Sequence, residues 1–86
     1  EPKGFRDKAM LEVMYATGIR VSELIDLNVD DVNLEQETIK CAGHKKSRSV
    51  PLYPDALRAL KIYMYEYRDL LVSSPQEKAL FVNING

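Results

Sequence analysis

The chain has 86 residues and a net charge of −1, from 12 lysines and arginines against 13 aspartates and glutamates. That length suits one small domain or part of a larger one. Hydrophobic residues make up 45 % and charged residues 29 %, which excludes a disordered chain, and the near-zero balance argues against a dedicated nucleic-acid binder, which would be basic overall.

No apolar run approaches the ~18 residues needed to cross a bilayer, so no membrane partner is expected. No signal-peptide pattern opens the chain, and a reducing, cytoplasmic setting fits. The opening "EPKGFRDK" lacks a methionine and reads as an internal cut. Cys41 has no second cysteine to pair with, and with His44 alone it cannot build a zinc site, so no metal is expected.

In chain order, Pro2, Lys3 and Gly4 lead into a helix. Phe5, Ala9, Met10, Val13, Met14 and Thr17 recur at helical spacing and form its inner face. Gly18 reads as the left-handed residue past the helix end. A second, short helix fits Arg20 to about Asp26, with Val21, Leu24 and Ile25 turned inward. "NVDDVNLEQE" has no sustained period, and its Asn and Asp residues suit turns.

"TIKCA" and "SRSVPL" then flank "GHKK", which reads as a β-hairpin with a basic tip. Pro51 suggests that the second strand lies at an edge or is ending. Pro54 suits the first position of a helix whose buried stripe is Leu57, Leu60, Met64, Tyr67 and Leu71. "SSPQEK" breaks that helix, and "ALFVN" is expected as one short strand. The fold class is α+β and mainly helical, with a small antiparallel sheet (the hairpin) at one edge.

Charge is unevenly spread. Thr38 to Pro54 contains no acid but carries Lys40, His44, Lys45, Lys46 and Arg48, while Asp26, Asp30, Asp31, Glu35 and Glu37 precede it. Lysines on a tight turn can enter a groove as a phosphate-contacting finger, or they can form a merely solvated turn. "GHKKS" is not a nucleotide P-loop, because the leading glycine is missing. His44 is a candidate acid or base but could equally be solvated.

Arg20 and Glu23, three apart, would share a helix face. They form either a surface ion pair or a partly buried arginine whose planar fork grips a phosphate while Glu23 orients it or braces the backbone. Spacing alone leaves both open. None of the five tyrosines has a base beside it in sequence, and none is assigned chemistry.

Taken together, "ATGIRVSELIDLNVDDVNLEQETI" and "HKKSRSVPLYPDALRAL" resemble the catalytic domain of the tyrosine recombinases, the phage-integrase and Xer-like group, from about Phe5 to Phe81. The resemblance implies site-specific DNA recombination. A tyrosine attacks a DNA phosphodiester and stays linked to the 3′ phosphate, and the released 5′ hydroxyl later attacks a partner strand. It also implies no metal or nucleotide cofactor, double-stranded DNA as partner, and a homo-oligomer, the tetrameric synapse of an intact recombinase.

Without a metal, the extra charge of the five-coordinate phosphorane must be met by fixed cationic donors. Arg20 falls on the first arginine of the family's set and Glu23 on the acidic position after it, a supporting role. The family's hairpin lysine donates a proton to the leaving oxygen. The usual pattern resembles G-K-G-x-K-x-R-x-V-P-L, whereas "GHKKSRSVPL" is one residue shorter. Lys45 is assigned the role, with Lys46 and then His44 as alternatives; Lys40, His44, Lys46 and Arg48 are assigned to DNA contact.

The family's H-x-x-R motif and nucleophilic tyrosine have no match in these residues, so residues 1–86 read as part of a catalytic domain. The inner faces of the long helices, above all Leu57 to Leu71, are then expected to be uncovered. Two rival classes are a helix-turn-helix binding module, disfavoured by Glu23 and Asp26 on its second helix, and a non-catalytic helical interaction domain.

Overall fold

The computed structural model describes residues 1–42 and 47–83. Helix α1 (Pro2–Thr17) is followed by α2 (Val21–Ile25), a 3₁₀ turn (Val29–Asp31), strands β1 (Val32–Asn33), β2 (Thr38–Ala42) and β3 (Ser47–Pro51), and α3 (Pro54–Ile62). The strands form one antiparallel sheet in the order β1-β2-β3. The α+β, mainly helical class is as expected, but the sheet has three strands. β1 comes from the stretch read as turns, where Val32 pairs with Ile39 and Asn33 with Thr38.

α1 starts where Glu1 accepts the Lys3 N–H at 3.0 Å and Pro2 occupies the first turn. Its expected inner face holds: Ala9, Val13 and Thr17 are buried, and Met10 and Met14 pack against the core. Phe5 stacks on Tyr67 with ring centroids 4.0 Å apart, which closes α1 against the end of α3.

In β2 the side chains alternate across the sheet. Ile39 and Cys41 are fully buried and Lys40 is exposed. Pro51 does end its strand, as expected.

After Ile62 the helix widens into a π turn (Tyr63–Tyr67) and then tightens into a 3₁₀ turn (Arg68–Leu70). Tyr63 is fully buried; its hydroxyl donates to Leu80 O at 2.7 Å and accepts the Val82 N–H at 3.4 Å.

"ALFVN" is not a strand. Ala79 makes one isolated bridge with Asn28, flanked by Val29 N–H to Lys78 O and Leu80 N–H to Leu27 O. Side-chain donors replace a ladder: Arg68 binds the carbonyls of Glu77, Ala79 and Leu80, and Arg6 binds those of Val82 and Asn83. Leu80, Phe81 and Val82 are thereby sunk into the core. Arg6 is itself buried and paired with Asp7 at 2.8 Å. The sequence reading missed it because its partners lie next door and at the far end of the chain.

The apolar surface is only partly where it was expected. Leu60 is buried, and Leu57, Met64, Tyr67 and Leu71 are half-buried against the core, so the α3 stripe is largely covered. Bare apolar residues lie on α1 and α2, where Leu11 is 66 %, Tyr15 92 %, Val21 54 % and Ile25 42 % exposed, and beside the stripe at Tyr53, Tyr65 and Leu70. In α2, Leu24 alone of the three expected inward residues is buried, because a five-residue helix turns too little surface toward the core to bury more.

The β1–β2 turn is closed by Gln36 N–H donating to Asn33 Oδ1 at 2.9 Å and leaves Glu37 at φ 58°. A glutamate there carries roughly 1–2 kcal/mol of steric cost that glycine avoids, less the ~0.5–1 kcal/mol of extra chain entropy glycine loses on folding. Glu37→Gly is expected to raise stability by about 0.5–1 kcal/mol, read as a higher thermal midpoint. A lower midpoint would show that the side chain is held by contacts that outweigh the strain.

Candidate active site

The stretch "TGIR" folds as a corner in which each residue has one task. Thr17 ends α1; its hydroxyl donates to Val13 O at 2.7 Å and accepts the Ile19 N–H at 3.3 Å. Gly18 takes φ 71°, and its N–H donates to Met14 O at 2.8 Å. That left-handed step is open to glycine without a Cβ clash. It turns Ile19 into the core, where the side chain is buried.

Arg20 follows as the residue before α2, with extended backbone at φ −77° and ψ 158°. Its N–H donates to Glu23 Oε1 at 2.9 Å, and its carbonyl accepts the Leu24 N–H at 2.9 Å. This is one half of a capping box; the arginine side chain has no acceptor with which to complete the other half. Asn28 and Asp31 repeat the device, with Asn28 N–H on Asp31 Oδ2 at 2.8 Å.

Two expectations are corrected here. Arg20 does not share a helix face with Glu23, because it lies outside the helix and the link runs through its backbone. Nor is it partly buried: the side chain is exposed, because Ile19 and Leu24 point into the core while Val21 points out. The preorganisation at this position is in the main chain.

The sheet meets the corner from below. Cys41 and Arg48 are register partners, so they point to one face, and Lys40 with its partner Ser49 points to the other. Arg48 Nη2 donates to Thr17 O at 3.0 Å, the last carbonyl of α1. Lys40 and Arg48, expected to contact DNA together, are therefore on opposite faces. His44, Lys45 and Lys46 lie outside the described residues.

Burial pushes the Cys41 thiol up from its ordinary 9.0, against the lowering effect of Arg48 and the Thr17 hydroxyl, with Glu23 and Asp31 adding to the rise. Burial likewise raises Tyr63 from 10.0, against hydrogen bonding at Val82 and the charges of Arg68 and Arg6. Arg48, expected to contact DNA, is exposed on β3 while its guanidinium reaches the Thr17 carbonyl. Register counted from the buried Ile39 and Cys41 is the signal that could have placed it on their face of the sheet.

No helix among the described residues is long and apolar enough to cross a membrane. Among them, too, no cluster of three His, Cys, Asp or Glu side chains could hold a metal ion.

The fold is similar to that of a solved recombinase. The crystal structure of XerA recombinase superposes with a TM-score of 0.74 at 32 % identity, over 94 % of this chain and 29 % of that one. Tyrosine recombinase XerD of Oceanobacillus iheyensis is 51 % identical over 83 residues, covering 94 % of this chain and 28 % of its own length. XerC of Herpetosiphon aurantiacus is 46 % identical over 86 residues, covering 99 % and 28 %. XerC of Bacillus subtilis is 43 % identical over 89 residues, covering 100 % and 29 %.

The phage integrase family profile matches residues 1–86. The chain belongs to the phage integrase family, and it spans under a third of the length of these relatives.

Cys41 and Tyr63 both hold their protons longer in the folded chain than in the unfolded one. Their contribution to stability is full below about pH 9, where the unfolded thiol starts to ionise, and it is lost as pH rises through the folded-state values. Stability is expected to fall above pH 9, and Cys41 to react with a thiol reagent at pH 8 only as fast as the chain opens. Rapid labelling of the folded chain would contradict the burial.

Proposed function

We propose that residues 1–86 are the first part of a tyrosine recombinase catalytic domain. The intact protein would catalyse site-specific recombination, cutting and rejoining double-stranded DNA through a 3′-phosphotyrosine. The observation that carries this is the corner at Gly18. It presents Arg20 to solvent on a backbone fixed at both its N–H and its carbonyl, and Arg48 ties that corner to the hairpin.

In this reading Arg20 meets the charge of the phosphorane with two parallel bonds to its non-bridging oxygens. Glu23 holds the Arg20 main chain and does not touch the phosphate. Lys45 is the general acid for the leaving 5′ oxygen, with Lys46 or His44 in reserve. Lys40 and the rest of the hairpin tip meet the DNA backbone. The attacking tyrosine and the remaining donors come from chain beyond these residues, and no metal or cofactor takes part. The intact protein works as a homo-oligomer on paired DNA sites, in the cytoplasm.

Arg20→Lys in an intact recombinase carrying this segment should abolish strand cleavage and leave DNA binding near normal, because a point charge cannot replace the fork. Cleavage at the unsubstituted rate would refute the role.

The 86 residues alone should bind DNA without sequence preference, with ~3–4 phosphates contacted and a Kd near ~10⁻⁴ M or weaker at physiological salt. They should form no covalent adduct with a suicide substrate nicked at the crossover point. A protein–DNA band that survives denaturant would place the nucleophile among the five tyrosines of this chain and overturn the assignment.

A further inference from the structure

Arg48 is an exposed residue of β3 that lies on the Cys41 face of the sheet, with Cys41 as its register partner. Its Nη2 donates to the carbonyl of Thr17 across 31 positions of sequence, at 3.0 Å. The last carbonyls of a helix have no partner within it and carry the negative end of the helix dipole, where a cation is favoured. Three residues on from that carbonyl is the backbone that carries Arg20.

Thr17 also holds the next turn of chain through its hydroxyl, which accepts the Ile19 N–H. A shift of the Thr17 peptide therefore moves Ile19 and Arg20 together. Glu23 acts on the same segment from the other side, through the Arg20 N–H.

We propose that Arg48 is a positioning residue for Arg20. By holding the Thr17 carbonyl it fixes the end of α1 against the hairpin, and so sets the place from which Arg20 reaches the phosphate. The proposal rests on the recombinase reading given above. It assigns Arg48 a task other than DNA contact and makes the hairpin a mechanical brace for the corner as well as a carrier of basic residues. Displacing a catalytic group by about 1 Å can cost on the order of 100-fold in rate, so a tether of one charged hydrogen bond is enough to matter.

The test uses an intact recombinase carrying this segment, with the rate of covalent adduct formation on a nicked duplex and the DNA affinity measured at several salt concentrations. Arg48→Met removes the donor and keeps the apolar stem; Arg48→Leu is a second variant without a donor, for use if the first does not fold. Arg48→Lys restores one donor.

Loss of the donor should slow adduct formation by about 10- to 100-fold with affinity and salt dependence unchanged, and Arg48→Lys should recover most of the rate. Exchange of the Ile19 and Arg20 amides should quicken by about tenfold while α3 amides keep their rates.

A weaker affinity with a salt slope reduced by about one would make Arg48 a phosphate contact and overturn the proposal. An unchanged cleavage rate would overturn it too, as would unchanged exchange at Ile19 and Arg20. If the unsubstituted protein makes no adduct, the recombinase reading itself fails. The exchange measurement then still decides whether Arg48 holds the corner.

Discussion

The left-handed backbone of Gly18 is the constraint on which the rest of the site depends. With φ at 71° the chain leaves α1 abruptly, and the next side chain, Ile19, enters the core. Had the helix run on, Ile19 and Arg20 would have continued its spiral, and α2 would have had no corner to start from. A buried isoleucine is worth about 1.5–3 kcal/mol relative to an exposed one, so the turn is held from the inside. The arginine that follows is held at the main chain and left free at its tip.

That division has a physical logic under the proposed chemistry. An exposed guanidinium keeps its water until a phosphate replaces it, so no charge is buried without a partner. A fixed backbone limits where the guanidinium can reach. Glu23 suits this task because it stands three residues on, where a carboxylate accepts the N–H at the head of α2. The sheet completes the frame from its two faces. The inner face supplies Ile39, Cys41 and the arm of Arg48, and the outer face supplies Lys40.

Much of this was legible before any coordinates. The spacing of Ala9, Val13 and Thr17 gave α1 its inner face, Gly18 marked its end, and β-branched runs around a glycine marked the hairpin. The parts that were not legible depend on long-range partners. "ALFVN" looks like a strand by composition, but Arg6, Arg68 and Tyr63 take up its carbonyls and leave one bridge. β1 is two residues long and exists through pairing with β2, which no local pattern announces. Arg20 was expected to be partly buried because its neighbours are apolar. In a corner, neighbours diverge, and apolar flanks do not enclose the residue between them.

Under the proposed chemistry the corner presents Arg20 to a phosphate through its backbone. This is tested most directly by a crystal structure of an intact recombinase carrying this segment, bound to DNA with vanadate in place of the scissile phosphate. The account predicts two guanidinium bonds of about 2.7–2.9 Å from Arg20 to equatorial oxygens, with Glu23 still on the Arg20 N–H and Gly18 still left-handed. Arg20 turned to solvent, with other side chains supplying those bonds, would contradict it.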